Sequence, residues 1–135
     1  MASYHVALIP GDGIGPEVIR EGVRVLSAAG EHFGFGLAWE QFPWGCGHYL
    51  QTGRVMPADG VEALRGFHAI YLGAVGLPGQ VPEEVGVREL VLAIRFGLEQ
   101  FANVRPVRPL PGAPFPLSHV APQDIDFVVV REATE

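Results

Sequence analysis

The stretch YHVALIPGDGIGPEVIREGVRVLSAAG, which runs from Tyr4 to Gly30, decides the fold of this chain. The apolar run Tyr4 to Ile9 predicts a strand, and the glycine-rich segment behind it predicts a loop. Pro16 suits the first position of a helix, and apolar residues spaced three to four apart predict a helix that ends at Gly30. Strand, glycine loop and helix in this order open an α/β unit.

The same alternation continues along the chain and favours an α/β fold with a mainly parallel sheet and flanking helices. Further elements are predicted as strands at Leu37–Phe42 and Ala69–Leu72, helices at Pro57–Arg65 and about Val85–Gln100, and loops at Trp44–Gly53 and Gly73–Gly79.

Prolines interrupt this rhythm after Phe101. Pro106 and Pro109 predict an extended segment over Phe101–Arg108, followed by an irregular stretch from Leu110 to Pro122 and a last strand at Asp126–Val130. We therefore predict two parts: residues 1–100 as the N-terminal part of a first α/β domain, and residues 101–135 as the beginning of a second.

The composition narrows the class of protein. The chain has 135 residues, 48% of them hydrophobic, but no apolar stretch approaches the roughly 18–20 residues that cross a bilayer, so we expect no membrane partner. The single cysteine, Cys46, is compatible with a reducing environment and predicts a cytoplasmic protein. The net charge is −6 and the nine cations are all arginine, which argues against a nucleic-acid partner.

Two glycine loops are candidate ligand sites. Gly11–Pro16 follows a strand and precedes a helix, but it does not match the dinucleotide pattern G-x-G-x-x-G, and a Walker loop requires a lysine that the chain does not have. Gly73–Gly79 also follows a strand, and its small residues would let a flat ligand approach the backbone. Each loop can also be interpreted as a tight turn without a ligand, and the segment Gly73–Gly79 by itself favours that interpretation.

Arginines are the candidate anion ligands, because a guanidinium grips a carboxylate with two parallel hydrogen bonds. Arg95 and Arg131 follow apolar runs, which favours a partnered guanidinium over a solvated one. Arg105 and Arg108 carry less support, and surface ion pairs remain the alternative for all four. Histidine, cysteine and serine spacings give no metal cluster, nucleophile or base, so we predict no catalytic or metal-binding residue in this chain.

Four segments of the chain stand in register with one another: Ile9–Val18, Tyr71–Gly76, Ile94–Arg95 with Asn103–Arg108, and Val130–Glu135. Together they resemble the decarboxylating β-hydroxyacid dehydrogenases, a family that includes isopropylmalate, isocitrate, homoisocitrate and tartrate or D-malate dehydrogenases. The residues around Trp44, Thr52–Pro57 and Asp126–Val130 are most similar to the tartrate/D-malate branch.

The resemblance implies a reaction in which NAD takes a hydride from a 2-hydroxy acid, and Mg2+ or Mn2+ assists loss of carbon dioxide. By position it implies that Arg95, Arg105 and Arg131 bind the carboxylates of a small dicarboxylate or hydroxy-acid substrate. It also implies that residues on the nicotinamide side of the cofactor are Ile14, Ala74, Val75 and Gly76.

Two positions depart from the family pattern. Arg88 falls near the position that reads the variable substituent of the substrate, where the guanidinium would favour a third carboxylate unless it is only a surface change. Ala133 replaces the asparagine of the Arg-Glu-Asn-Thr-Glu-Gly motif and so removes polar contacts beside Arg131.

Members of this family are more than twice as long, and their active-site tyrosine, lysine and metal-binding aspartates follow the point that matches Glu135. The resemblance therefore implies a fragment with an incomplete fold, inactive by itself, from an enzyme that forms a homodimer. A non-catalytic carboxylate-binding or interaction module is the alternative.

Overall fold

The computed structural model describes residues 2–132. Contacts between residues divide the chain after Leu98 into two units. The first unit contains β1 (Ala2–Ile9), α1 (Gly15–Phe33), β2 (Phe35–Gln41), α2 (Cys46–Thr52), α3 (Gly60–Leu64), β3 (Ala69–Leu72), α4 (Glu83–Gly86), a π-helical segment (Val87–Leu92) and α5 (Ala93–Gly97); the second contains β4 (Ala102–Val107), a 3-10 turn (Pro122–Asp124) and β5 (Phe127–Glu132).

A parallel three-stranded sheet with the order β2-β1-β3 forms the centre of the first unit. Its register pairs Ala7 with Glu40 on one side and with Ile70 on the other. The parallel sheet and its helices confirm the predicted α/β class.

The two faces of this sheet are covered by different helices. Since side chains alternate along a strand, Leu8 and Tyr71 share one face, where Gly22 of α1 approaches the Tyr71 hydroxyl. Ala7 and Ile9 point to the opposite face and pack with the later helices. The buried core on that face consists of Ala7, Ile9, Trp44, Val55, Leu64, Leu90 and Ile94.

The second unit is a two-stranded antiparallel ribbon in which Asn103 pairs with Arg131 and Arg105 with Val129. None of its described residues, 99–132, is buried. Val104 and Val130 form a direct pair, yet they are 59% and 68% exposed.

Two predicted boundaries are wrong for reasons that depend on tertiary packing. Helix α1 continues past Gly30 because this glycine packs against Phe35, and the helix ends instead at Gly34, which has the left-handed φ of 76°. The segment predicted as the loop Trp44–Gly53 contains α2. The remaining boundaries differ by a few residues; for example, the predicted helix Pro57–Arg65 is helical only over Gly60–Leu64.

Within residues 2–132, no helix combines the length and the apolar character that a membrane crossing requires.

Candidate functional site

The loops after β1 and β3 meet at the carboxyl edge of the sheet. The loop after β1 leads to α1 on one face, and the loop after β3 leads to the helices on the opposite face. Neighbouring parallel strands whose connections leave to opposite faces define a topological switch point, where open α/β sheets bind ligands. The sheet topology thus places both predicted glycine loops at the edge where a ligand site is expected.

Three glycines in these loops allow the backbones to pack together. A Cβ on Gly11 would lie 2.0 Å from the Ala74 carbonyl oxygen, and one on Gly73 would lie 2.1 Å from that of Pro10. A Cβ on Gly15 would likewise lie 2.2 Å from the Pro10 oxygen. At these positions, the absence of a side chain serves loop packing, as the tight-turn interpretation expects.

Gly13 and Gly76 are different because their missing side chains leave open space. Nothing lies within 4 Å of a Cβ built on Gly76, and only the Gly76 oxygen, at 3.8 Å, approaches one built on Gly13. Ile14 is 63% exposed. Of the other residues predicted for the nicotinamide side, Ala74 is exposed and Val75 is half-buried. This open, small-residue surface can accept a flat ring.

Asp12 holds these loops together, and sequence reasoning did not identify it. Its side chain is 7% exposed and accepts hydrogen bonds from the backbone N–H groups of Cys46 and Gly47, both at 2.8 Å, and of Gly76 at 3.1 Å. Its own N–H donates to the Ala74 oxygen at 2.7 Å. The signal in the sequence was an aspartate between two glycines. A buried carboxylate requires several hydrogen-bond donors, and the backbone N–H groups of closely packed loops can provide them.

Cys46 lies beside Asp12 and is buried. Burial raises the pKa of its thiol, and the nearby negative charge of Asp12 and a hydrogen bond to its side chain raise it further. A backbone hydrogen bond involving Leu77 acts in the opposite direction. The thiol is therefore held protonated at neutral pH and is a structural group rather than a nucleophile.

Two of the predicted arginines lie on the last helical run of the first unit. Arg88 is exposed in the π-helical segment and lines a small cavity of about 220 Å³ together with Glu84 and Leu92. Arg95 is half-buried in α5, immediately after the buried Ile94. Segments of π-helix occur frequently at functional sites.

The other two lie on the ribbon. Because alternate residues share a face and opposed residues point the same way, Arg105 and Arg131 lie on one face together with Asn103. Nε of Arg105 donates to Oδ1 of Asn103 at 3.2 Å, a contact that orients the guanidinium and that sequence reasoning did not predict. Ala133, the predicted departure beside Arg131, lies outside the described residues.

Ion pairing separates the arginines into two groups. Arg65 pairs with Glu62 at 2.8 Å and Arg108 with Asp126 at 2.6 Å, while Arg20 and Arg24 both pair with Glu21. In the described part of the chain, no carboxylate pairs with the arginines predicted to bind or read a substrate; these are Arg88, Arg95, Arg105 and Arg131, and Arg54 is the one other arginine in this state.

A groove of about 730 Å³ lies between α1 and α2 at the ends of β1 and β2, with Trp44 and His48 in its wall. Gly11, Asp12 and Pro16 of the first glycine loop also line it, whereas the predicted arginines and the residues predicted for the nicotinamide side do not. The described residues also contain no group of three or more His, Cys, Asp or Glu side chains arranged to hold a metal ion.

Comparisons with known proteins agree with the resemblance seen in the sequence. The profile of the isocitrate/isopropylmalate dehydrogenase family matches residues 5–135. The chain is 50% identical to the D-malate dehydrogenase [decarboxylating] of Escherichia coli (strain K12) over 136 aligned positions, covering 100% of this chain and 38% of that protein. It is 48% identical to the tartrate dehydrogenase/decarboxylase of Pseudomonas putida, covering 98% of this chain and 37% of that protein.

Solved structures give the same result. A β-decarboxylating dehydrogenase from Thermococcus kodakarensis superposes with a TM-score of 0.70 at 34% identity, covering 98% of this chain and 34% of the other. An isocitrate dehydrogenase from Methylococcus capsulatus gives a TM-score of 0.76 at 28% identity, covering 98% and 35%. The chain thus spans little more than a third of the length of these relatives. Since the family profile matches nearly all of its residues, the chain belongs to the isocitrate/isopropylmalate dehydrogenase family.

Proposed function

We propose that this chain supplies the N-terminal portion of an NAD-dependent, metal-dependent decarboxylating dehydrogenase of tartrate-, D-malate- or 3-isopropylmalate-type 2-hydroxy acids. The identities of the relatives support this reaction class. The observation that carries the proposal is that Arg95, Arg105 and Arg131 have no carboxylate partner within residues 2–132, although four of the other surface arginines do.

The chemistry of the substrate explains why arginine is suited to these positions. A dicarboxylate brings two negative charges, and each carboxylate can accept two parallel hydrogen bonds from one guanidinium. A protein of net charge −6 would repel such a ligand unless cations were concentrated where it binds. Guanidinium groups that pair with no carboxylate among residues 2–132 can provide those cations.

The nicotinamide side of the site is proposed at Ile14, Ala74, Val75 and Gly76. Open space above Gly13 and Gly76 and the exposed Ile14 side chain fit a flat aromatic ring. When bound, NAD would supply the hydride acceptor. The role of this chain is to hold the ring against the loop backbone and to keep water from that face.

The described residues do not fit the Mg2+ or Mn2+ ion that the family resemblance implies. Residues 2–132 present no cluster of metal ligands, and the chain has no lysine to act as a base. We therefore assign no metal contact and no proton transfer to this chain. The full reaction then requires groups from outside these residues.

Turnover and binding test different parts of the proposal. With NAD+, Mn2+ and D-malate, we expect the 135-residue chain to produce no NADH above background, since residues 2–132 present no cluster of metal ligands and the sequence has no lysine to act as a base. Sustained NADH formation by a preparation free of host dehydrogenase would contradict this expectation.

Isothermal titration calorimetry with D-malate and with tartrate tests the arginines. We expect binding that weakens by roughly 10- to 100-fold in Arg95→Ala, because hydrogen bonds to charged groups contribute about 1.5–3 kcal/mol. Arg24→Ala is the matched control, because it removes the same side chain from a surface ion pair. Equal affinities in the two variants would remove Arg95 from the site.

A non-catalytic carboxylate-binding module is the second candidate, favoured by the absence of a metal cluster among the described residues. Titration with NAD+ separates the two functions. The dehydrogenase portion should show NAD+-dependent changes at Ile14 and Gly76, whereas a carboxylate-binding module should respond to D-malate alone.

The family resemblance also supports a homodimer in the cytoplasm. Analytical ultracentrifugation at micromolar concentration would test whether the chain forms a homodimer. A species of 14.5 kDa at all concentrations would contradict a dimer of this chain.

A further inference from the structure

We propose that Asp12 is a positioning residue that sets the conformation of the Gly73–Gly79 loop for the nicotinamide ring. This inference rests on the proposed function, because it assigns the loop to the cofactor. It does not make Asp12 a catalytic residue, since the side chain is 7% exposed and both carboxylate oxygens accept hydrogen bonds from backbone N–H groups.

The hydrogen bonds of Asp12 join three separate segments. One carboxylate oxygen accepts from Cys46 at 2.8 Å and Gly76 at 3.1 Å, and the other accepts from Gly47 at 2.8 Å. The Asp12 N–H adds a bond to the Ala74 oxygen. Two bonds from one residue therefore fix the β3 loop at positions 74 and 76, on either side of Val75.

The surrounding backbone is built closely around this carboxylate. Gly45 has a φ of 149°, and a Cβ there would lie 2.8 and 2.9 Å from the two Asp12 oxygens. A Cβ on Gly86 of α4 would lie 2.9 Å from the Val75 side chain and 3.1 Å from the Cys46 sulfur. The segments that Asp12 fixes thus also contact the helical run that bears Arg88 and Arg95.

Asp12→Asn is the variant that separates positioning from bulk packing. Asparagine has nearly the same shape, but it replaces one accepting oxygen with an NH2 group, which faces backbone donors. Two or fewer of the three bonds to backbone N–H groups can then form. Asp59→Asn is the matched control, because Asp59 is exposed and makes no capping hydrogen bond.

A second control tests whether a loss of fold stability is enough to alter the cofactor loop. Leu64→Val removes a methylene from the buried core of the first unit, at a residue without a hydrogen bond to either glycine loop. If Asp12 acted only by stabilising the fold, this variant and Asp12→Asn would affect the cofactor loop alike, in proportion to their loss of stability.

The experiment is an NMR titration of the full chain and the three variants with NAD+, together with amide hydrogen exchange. We expect faster exchange at Gly76 and at least tenfold weaker NAD+ binding in Asp12→Asn, with the exchange protection of β1 retained. Asp59→Asn and Leu64→Val should bind NAD+ as the parent chain does.

Each alternative outcome has a distinct meaning. If Asp12→Asn remains folded and binds NAD+ as tightly as the parent, or if Leu64→Val weakens binding as much as Asp12→Asn does, Asp12 has only a structural role and the inference is overturned. If Asp12→Asn unfolds, the same comparison is made with Asp12→Glu, which keeps the charge but displaces it; unchanged affinity there also overturns the inference. If the parent chain itself shows no NAD+-dependent change at residues 13–76, the cofactor part of the proposed function fails, and the inference fails with it.

Discussion

Strand β1 lies between two parallel neighbours with helices packed against its faces, whereas β5 has one partner strand among residues 2–132 and is exposed along its whole length. Both strands are rich in β-branched and aliphatic residues, yet Val6 is 6% exposed and Val130 is 68% exposed. The amino-acid types that favour a strand are therefore the same in both units, and the difference lies in what covers them. A two-stranded ribbon is at best marginally stable by itself.

The distribution of candidate residues follows this difference. In the first unit, Asp12 holds the two glycine loops together, so their geometry is fixed by internal packing. In the ribbon, strand register places Arg105 and Arg131 on one face, and Asn103 orients Arg105. Substitutions in the two units should consequently have very different effects on stability.

The largest contrast should come from truncating one apolar side chain in each unit. Leu90 is fully buried, so we expect Leu90→Ala to lower the free energy of unfolding by about 2–5 kcal/mol. Val130→Ala, on the exposed ribbon, should change it by less than about 0.5 kcal/mol. Urea denaturation followed by circular dichroism measures both. Equal losses would show that the ribbon packs as firmly as the core.

Two glycines with similar backbone conformation sharpen the same comparison. Gly11 has a φ of 72° and Gly112 a φ of 79°, but a Cβ would meet the Ala74 oxygen at 2.0 Å only at Gly11. Both alanine variants incur the left-handed strain of roughly 1 kcal/mol. Gly11→Ala should cost at least about 2 kcal/mol more, because it separates two packed loops. Similar unfolding midpoints for the two variants would contradict the close loop contact.

The smallest expected effect is a pH dependence of the free energy of unfolding that arises from Cys46 in the first unit. Because burial and then Asp12 raise the pKa of the Cys46 thiol, the folded state holds this proton more tightly than the unfolded state does. Its contribution to stability is complete below the ordinary pKa of 9.0 and is lost as the pH rises through the folded value. Unfolding free energies measured from pH 7 to 10 should fall less steeply in Cys46→Ala; identical slopes would exclude this contribution.

Short-range sequence patterns were enough to predict β1 and the parallel sheet. The apolar run before Pro10 gave β1, and alternation of strands and helices gave the parallel sheet. Helix α2 was not predicted, because Gly45 and Gly47 flank its start and suggested a loop. The N–H group of its first residue, Cys46, donates instead to Asp12, which lies 34 positions earlier in the chain. Gly30 looked like a stop signal, and only its contact with Phe35 shows that it is a packing residue.

Site residues follow the same division. A resemblance between motifs identified the arginines and the glycine loops. Three of the four ion-paired arginines pair with a glutamate one or three residues away, whereas Arg108 pairs with the distant Asp126. The bonds of Asp12 to Gly76 and the orientation of Arg105 by Asn103 are tertiary and register effects, respectively. The sequence alone could suggest that Asp12 is buried, but it could not identify the three backbone N–H groups that donate hydrogen bonds to its carboxylate.

The central claim is that Arg95, Arg105 and Arg131, which have no carboxylate partner within residues 2–132, bind a small dicarboxylate. An NMR titration that follows the Nε–Hε signals of all nine arginines with D-malate tests it most directly. We predict saturable shifts at Arg95, Arg105 and Arg131, and unchanged signals at Arg20, Arg24 and Arg65, which pair with glutamates. Uniform small shifts at every arginine, or shifts only at the ion-paired ones, would contradict the claim.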